Sequence, residues 1–394
     1  MSPTTDTPDR ARPLQRLPAV FMRGGTSKAL MFRREHLPAA REDWDAIFLA
    51  AMGSPDPHGR QLDGMGGGLS SVSKVCVIGP PSRADADVDY TFAQVLVNEA
   101  RVDYAGNCGN MSSAVGPFAV DERLVAPLPD ARGEVTVRIH NTNTGKIIAA
   151  TFRVDAAGRS VARGDLAIPG VAGRGSPIRL TFMQPGGAIT GRLLPTGRTV
   201  DRLARPDGTA IEASCVDAAN ACVFLRAADL GLTGTESPAA LEADRTLMDT
   251  LLALRAQASV AMGIAPDLAA ARAKVTTPSI GLVAAPAAWT TLAGEALPAQ
   301  ACDLAVRMIS SNQPHRALPL TASVCIAVAS QIDGTLVHAA TRPGSDPAAL
   351  RLGMPSGVLT VAARVERDAQ GERQAIDGAF FRTARRLFEG FVLY

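Results

Sequence analysis

Asn107-Cys108-Gly109-Asn110-Met111-Ser112-Ser113-Ala114-Val115-Gly116 reads as the opening of a helix made almost wholly of small residues. A second such opening, Pro319-Leu320-Thr321-Ala322-Ser323-Val324-Cys325-Ile326-Ala327, stands in the other half of the chain. Each follows a strand-rich stretch, and each precedes a further strand or hairpin region, Glu134–Val154 in one half and Val358–Arg367 in the other. That repetition suggests an internal duplication, two α/β (α+β) domains of like fold. Small residues also serve close packing of a helix against a sheet without any duplication, and periodicity alone does not separate the two readings.

Outward from these helices, strand-like runs dominate, bounded by Gly, Pro and Asp-Gly turns. Ala19–Phe32 holds two apolar runs joined through Arg23-Gly24-Gly25-Thr26-Ser27-Lys28, the pattern of a hairpin. Val72–Ile78, Val88–Val97 and Glu134–Val154 continue the strand pattern, the last with a turn at Asn143-Thr144-Gly145. Asp43–Met52 is a short helix candidate. Ser237-Pro238 supplies an N-cap and first-turn pair for a longer helix, with Leu241, Leu247, Met248, Leu251, Leu252 and Ala258 at helical spacing. Gln184-Pro185-Gly186-Gly187 interrupts both patterns, giving an N-terminal domain over residues 16–185 and a C-terminal domain over 186–394, whose last strand can pack back on the first domain.

Composition narrows the function. The chain has 394 residues, 46% hydrophobic and 20% charged, as in an ordinary globular enzyme. Aromatic residues at 4% leave little for stacking single-stranded nucleic acid, and a net charge of +2 gives no general attraction to DNA or acidic membranes. No run reaches the roughly 18 apolar residues of a membrane span. Residues 1–15 read as a disordered tail without the apolar stretch of a signal peptide. Six cysteines without a CxxC pair point to reduced thiols in a cytoplasm. His36, His58, His140, His315 and His338 show no metal-ligand spacing, so no metal is expected. Of these only His315, just before the second small-residue helix, is a candidate to line a cleft, and an ordinary loop histidine is the favoured competing reading.

The chemistry concentrates in Asp63-Gly64-Met65-Gly66-Gly67-Gly68-Leu69-Ser70-Ser71-Val72-Ser73-Lys74. Gly66, Gly67 and Gly68 expose backbone N–H groups to an anion, and Ser70, Ser71 and Ser73 add hydroxyl donors. No Gly-Lys-Ser/Thr follows at P-loop spacing, so a carboxylate fits as well as a phosphate. Lys74 enters the apolar run Val75-Cys76-Val77-Ile78, where partial loss of hydration favours the amine over the ammonium and makes a usable base. Cys108 stands at a helix N-terminus, whose free amides favour a thiolate and can hold the charge of an enolate. Burial as an ordinary core cysteine is the competing reading. Arg23-Gly24-Gly25-Thr26-Ser27 combines a guanidinium fork, amides and hydroxyls in the manner of a carboxylate clamp, or forms a plain tight turn. No GxSxG elbow and no GxGxxG between strand and helix is present.

These residues resemble the PrpF family, which includes 2-methylaconitate cis-trans isomerase, 4-oxalomesaconate tautomerase and methylitaconate isomerase. The resemblance rests on Arg23–Lys28, Gly53-Ser54-Pro55-Asp56, Asp63-Gly64-Met65-Gly66-Gly67, Ser73-Lys74, Cys108-Gly109-Asn110, Pro195-Thr196-Gly197 and Val216-Asp217-Ala218-Ala219-Asn220, and it runs from about Leu17 to the C-terminus. It implies a diaminopimelate epimerase-like fold, two pseudo-symmetric domains, each a curved sheet around a central helix, with the active site between them. It also implies a catalytic lysine and cysteine matching Lys74 and Cys108, and a mirrored position near Thr321. Two departures fall in the second domain: Thr321-Ala322 where relatives carry Thr-Gly, and Ala219-Asn220-Ala221 where the epimerases carry Gly-Asn-Pro.

The expected reaction is a 1,3-allylic proton shift, or a cis-trans isomerisation, in an unsaturated di- or tricarboxylate such as 2-methylaconitate. No cofactor is implied. Arg23, Gly24, Gly25, Thr26, Ser27, Gly66, Gly67, Gly68, Ser70, Ser71 and Ser73 are expected around the substrate. Gly109, Asn110, Met111, His315, Thr321, Ala322 and Ser323 complete that set. Further expectations are a homodimer and a pathway link to an aconitase-like enzyme, with no nucleic-acid or membrane partner. The alternatives are a 4-oxalomesaconate tautomerase and, in another class, a non-catalytic accessory protein of an aconitase-like enzyme. An amino-acid racemase would need a second acid/base in the other domain.

Overall fold

The turn at Gly25-Thr26 folds β1 (Arg16–Gly24) back onto β2 (Ser27–Arg33), with Gly24 opposite Ser27 and Gly25 at φ +51°, a conformation that glycine adopts freely. In this computed structural model the described residues are 15–104, 107–274, 277–310 and 312–394. The tail expected over residues 1–15 therefore lies, Gln15 apart, outside them.

The chain divides into two compact units. One holds the described residues up to Lys146 together with Val154–Ala162 and Ala384–Tyr394; the other holds Ile147–Arg153 and Arg163–Thr383. The change-over thus falls at Ala162–Arg163 rather than near Gln184–Gly187. The reason is strand pairing: Ile178–Met183 lies antiparallel to Arg373–Arg382 within the second unit. The last strand, Ala384–Leu393, pairs antiparallel with β1.

In the first unit, β2 runs parallel to β3 (Lys74–Gly79), β3 antiparallel to β4 (Val88–Val95), and β4 parallel to β5 (Glu134–Asn141). Alternation gives each strand two apolar faces, and a helix covers each face. Trp44, Ile47, Phe48, Ala51 and Met52 of α1 (Trp44–Met52) pack on Phe21, Leu30, Phe32, Val75, Val77 and Ala93. On the opposite face lies α2 (Gly109–Asp121), against β1, β2, β3 and β5, with Met111 to Val120 all buried. A helix buried on every side needs small residues wherever backbone comes close. A Cβ on Gly24 would stand 2.6 Å from the carbonyl oxygen of Asn110.

The second unit repeats the order. β6 (Ala210–Ala218) and β7 (Asn220–Arg226) form an antiparallel hairpin, β7 runs parallel to β8 (Ser279–Ala284), and β8 antiparallel to β9 (Leu304–Ser310). β9 runs parallel to β10 (Leu350–Met354), and β10 pairs with β11 (Gly357–Arg367). The helices fall between the same strands. α3 (Arg245–Ala261) joins β7 to β8 as α1 joins β2 to β3, and the buried α4 (Leu320–Ser330) joins β9 to β10 as α2 joins β4 to β5. The two small-residue helices are therefore topological equivalents.

One expected helix is two. Ser237 caps Pro238–Ala243 by accepting the Ala240 N–H, but Asp244 leaves helical geometry at ψ 89° and caps α3 afresh through the Leu247 N–H. Among the described residues no helix is long and apolar enough to cross a membrane.

Candidate active site

Lys74 is the first residue of β3, and its side chain points to the α2 side of the sheet with Cys76 and Ile78, away from Val75 and Val77 in the α1 core. Directly across the antiparallel pair stand Gln94 opposite Lys74, Phe92 opposite Cys76 and Tyr90 opposite Ile78. Lys74 is buried, donates from Nζ to Gln94 Oε1, and holds Nζ 5.1 Å from the centre of the Phe92 ring, a cation–π distance.

Cys108 occupies the N-cap of α2 with extended backbone (φ −109°, ψ 99°) and makes no capping bond with its side chain. Its thiol lies 3.9 Å from the hydroxyl of Ser27, on β2. Ser27 is two residues before Ala29, the register partner of Lys74. With about 3.3 Å of rise per residue and about 4.8 Å between strands, the Cα atoms of Ser27 and Lys74 are roughly 8 Å apart. Burial pushes the Cys76 thiol far up; a hydrogen bond with Tyr90 opposes this, Cys108 adds to it, and Lys74 lowers it. Ser27 therefore touches the Cys108 thiol and stands on the strand that pairs with Lys74.

The first-turn amides of α2 have no intrahelical acceptor, which leaves the dipole's positive end beside Cys108. The Arg23–Ser27 turn is docked on that end: the Thr26 N–H donates to Asn110 Oδ1 at 3.4 Å, and Gly24 permits the close approach. Arg23 turns inward, donating to the Gly25 carbonyl at 2.8 Å, and burial, then the neighbouring Arg385, lowers its guanidinium below the ordinary range. Met111 is buried in the packing of α2.

The glycine-rich loop is built differently from the expected anion cradle. The Gly66 N–H donates to the Met52 carbonyl and the Gly68 N–H to Gln61 Oε1, so both amides are already committed. The Ser73 hydroxyl is buried, 2.5 Å from Gln61 Oε1 and 2.9 Å from the Leu69 carbonyl. The glycines serve close packing: a Cβ on Gly66 would stand 2.3 Å from the Gln61 carboxamide, and one on Gly67 2.6 Å from Val72. Gln61 and Asp56, which accepts three backbone N–H groups at 2.5–2.9 Å, organise this loop. The hydroxyls of Ser70 and Ser71 make no hydrogen bond among the described residues, and they remain the loop's unengaged donors.

The remaining expected residues belong to the second unit. His315 Nδ1 accepts the Ala317 N–H, which places the ring proton on Nε2, and burial holds the imidazole below its usual range. Thr321 is half-buried in the first turn of α4. Ala322 is buried, and Ser323 is buried with its hydroxyl donating to the Leu320 carbonyl at 2.6 Å, so neither side chain is offered to a ligand. Among the described residues no group of three or more His, Cys, Asp and Glu is placed to hold a metal.

The model of the PrpF protein family matches residues 14–394. The chain belongs to the PrpF family. This PrpF-family chain is 40% identical over 380 residues to the 3-methylitaconate isomerase of Eubacterium barkeri, covering 96% of the chain and 97% of the relative. It is 38% identical to the 2-methyl-aconitate isomerase of Shewanella oneidensis (96% and 97% covered) and 39% to the 4-oxalomesaconate tautomerase of Pseudomonas putida (96% of each). It shares the fold of the crystal structure of methylitaconate-delta-isomerase, at a TM-score of 0.88 and 39% identity over 96% of each chain.

Against that membership, the duplicated topology of this PrpF-family chain locates the counterparts of its two candidate groups. Ser279 opens β8 as Lys74 opens β3, each beside a parallel neighbour. Pro319 caps α4 as Cys108 caps α2, so the mirrored position is Pro319, two residues before Thr321. Ser279 accepts from Asn220 Nδ2 at 3.3 Å. The second unit thus carries a hydroxyl and a proline ring at positions where the first carries an amine and a thiol.

Proposed function

We propose that this chain is an isomerase of small unsaturated di- or tricarboxylates, of the methylitaconate and 2-methylaconitate kind, acting by a 1,3-allylic proton shift. The observation that carries the reading is the Cys108 thiol 3.9 Å from the hydroxyl of Ser27, on the strand that pairs with β3 where Lys74 begins.

The neutral Lys74 amine takes a proton from the carbon next to the alkene. The C–H electron pair enters a dienolate whose charge spreads to the substrate carboxylate. The amides at the first turn of α2 face that charge and stabilise it. The Cys108 thiol then delivers its proton two carbons away, the double bond settles one position over, and solvent returns the ammonium and thiolate to their starting forms. Ser70, Ser71 and the Arg23–Ser27 turn hold the substrate's carboxylates. All six cysteines are free thiols, and a reducing cytoplasm is the compartment we assign to the chain.

The test is deuterium uptake from D2O into methylitaconate and 2-methylaconitate, followed by proton NMR. Lys74→Ala and Cys108→Ser should each lose about 10²- to 10⁴-fold in turnover, the loss typical of a proton-transfer group. Unchanged uptake in Lys74→Ala removes the lysine from the reaction. A 4-oxalomesaconate tautomerase runs the same chemistry on a substrate bearing a keto group, and including that acid in the panel separates the two.

A further inference from the structure

Gln94 has no place in the reaction just described, yet it is the residue most tightly tied to Lys74. It sits opposite Lys74 in the β3–β4 register, and its Oε1 accepts the Lys74 Nζ. Its Nε2 donates to the Ser73 carbonyl at 3.0 Å and the Ser70 carbonyl at 3.1 Å, with the Val95 carbonyl at 3.3 Å. Carbonyl oxygens only accept, so the NH2 end of the carboxamide must face them. The carboxamide is thereby locked, and its oxygen has one direction left, toward Nζ.

We propose that Gln94 is a positioning residue that aims the Lys74 amine and links it to the serine turn at Ser70–Ser73. An acceptor at that spot obliges Nζ to spend an N–H on it in either charge state. The lone pair of the neutral amine is then turned away from Gln94. Since the carboxamide is held by the carbonyls of Ser70 and Ser73, a shift of that turn moves the oxygen that Lys74 rests on. The consequence for catalysis rests on the isomerase reading; the coupling itself does not.

The experiment reads Lys74 directly and needs no substrate. The intact chain, Gln94→Met and Gln94→Glu are labelled competitively with acetic anhydride across a pH series, and modification of the Lys74 peptide is quantified by mass spectrometry. Methionine fills similar space without the acceptor, and its half-labelling point should move down by about 0.5 pH unit or more; glutamate places an anion against Nζ and should move it up by a similar amount. General loosening of the fold does not produce opposite shifts. Superposed curves, or shifts in one direction, overturn the proposal. If the variants do not fold, a crystal structure of the unaltered chain decides: a Gln94 carboxamide turned away from Nζ overturns the proposal, and Oε1 on Nζ sustains it. With an accepted substrate, Gln94→Met should lose about 10- to 100-fold in kcat with little change in KM, as for a misaimed group. Opposite shifts without turnover of any unsaturated acid would sink the isomerase reading and leave this inference standing; turnover with superposed curves would do the reverse.

Discussion

A thiol partly open to solvent at the mouth of a helix reacts differently from thiols sealed in a core. Five of the six cysteines are buried, and burial pushes Cys76, Cys215 and Cys222 well above the ordinary thiol range, which keeps them protonated and inert. Cys108 alone is partly exposed. Iodoacetamide applied to the folded protein should therefore alkylate Cys108 first, and a bound unsaturated acid should slow that labelling. Peptide mapping that finds Cys222 or Cys325 modified before Cys108 would contradict the placement of the thiol. Lys74 and Cys108 stood out as candidates because each adjoins a visible anomaly, a glycine-serine run in one case and Asn-Cys-Gly-Asn at a helix start in the other. Gln94 and Gln61 did not. A glutamine inside an alternating strand or a loop carries no motif, and its partners, Lys74 at 20 residues from Gln94 and Ser73 at 12 from Gln61, become visible only once the fold is known.

At the scale of elements, the loop from Gly53 to Ser73 shows why glycine runs mislead. Four glycines in five residues look like an amide cradle, but here they let a loop close on the end of α1 and on one buried glutamine. A Cβ on Gly64 would stand 2.1 Å from the Gly53 nitrogen, a contact no side-chain shift can relieve. Gln61 holds the closure by donating to the Ser54 hydroxyl at 2.7 Å and accepting from Gly68 and Ser73. Gln61→Ala leaves buried donors unpaired and should destabilise the fold by about 1–3 kcal/mol, measured by urea unfolding. The loop underlies Lys74 through the carbonyls of Ser70 and Ser73, so turnover should fall as well. A variant as stable as the parent would show that the loop does not depend on this hub. Helix ends were read well where a side chain does the capping, as Ser237 does, and missed where a second cap is set among helix formers, as Asp244 is.

At the scale of the whole molecule, the two units share an order of parallel and antiparallel neighbours and differ in chemistry. The duplication was readable from two small-residue helices, since a helix buried on all sides must be small wherever it appears. The unit limits were not readable, because they depend on which sheet Ile178–Met183 and Ala384–Leu393 join, a matter of long-range pairing. On the proposed isomerase reading, the duplication bears on where proton transfer can reside. An enzyme that works from two equivalent groups would keep an acid or base at both equivalent places. Here Lys74 and Cys108 correspond to Ser279 and Pro319, and neither of the latter exchanges protons near neutral pH. On the isomerase reading, both proton transfers then fall to the first unit. Ser279→Ala should accordingly lower kcat and deuterium uptake by less than about tenfold, against the roughly 10²- to 10⁴-fold loss in Lys74→Ala. If Ser279→Ala, folded and saturated with substrate, stops deuterium uptake as completely as Lys74→Ala does, proton transfer is divided between the units and the one-sided assignment fails.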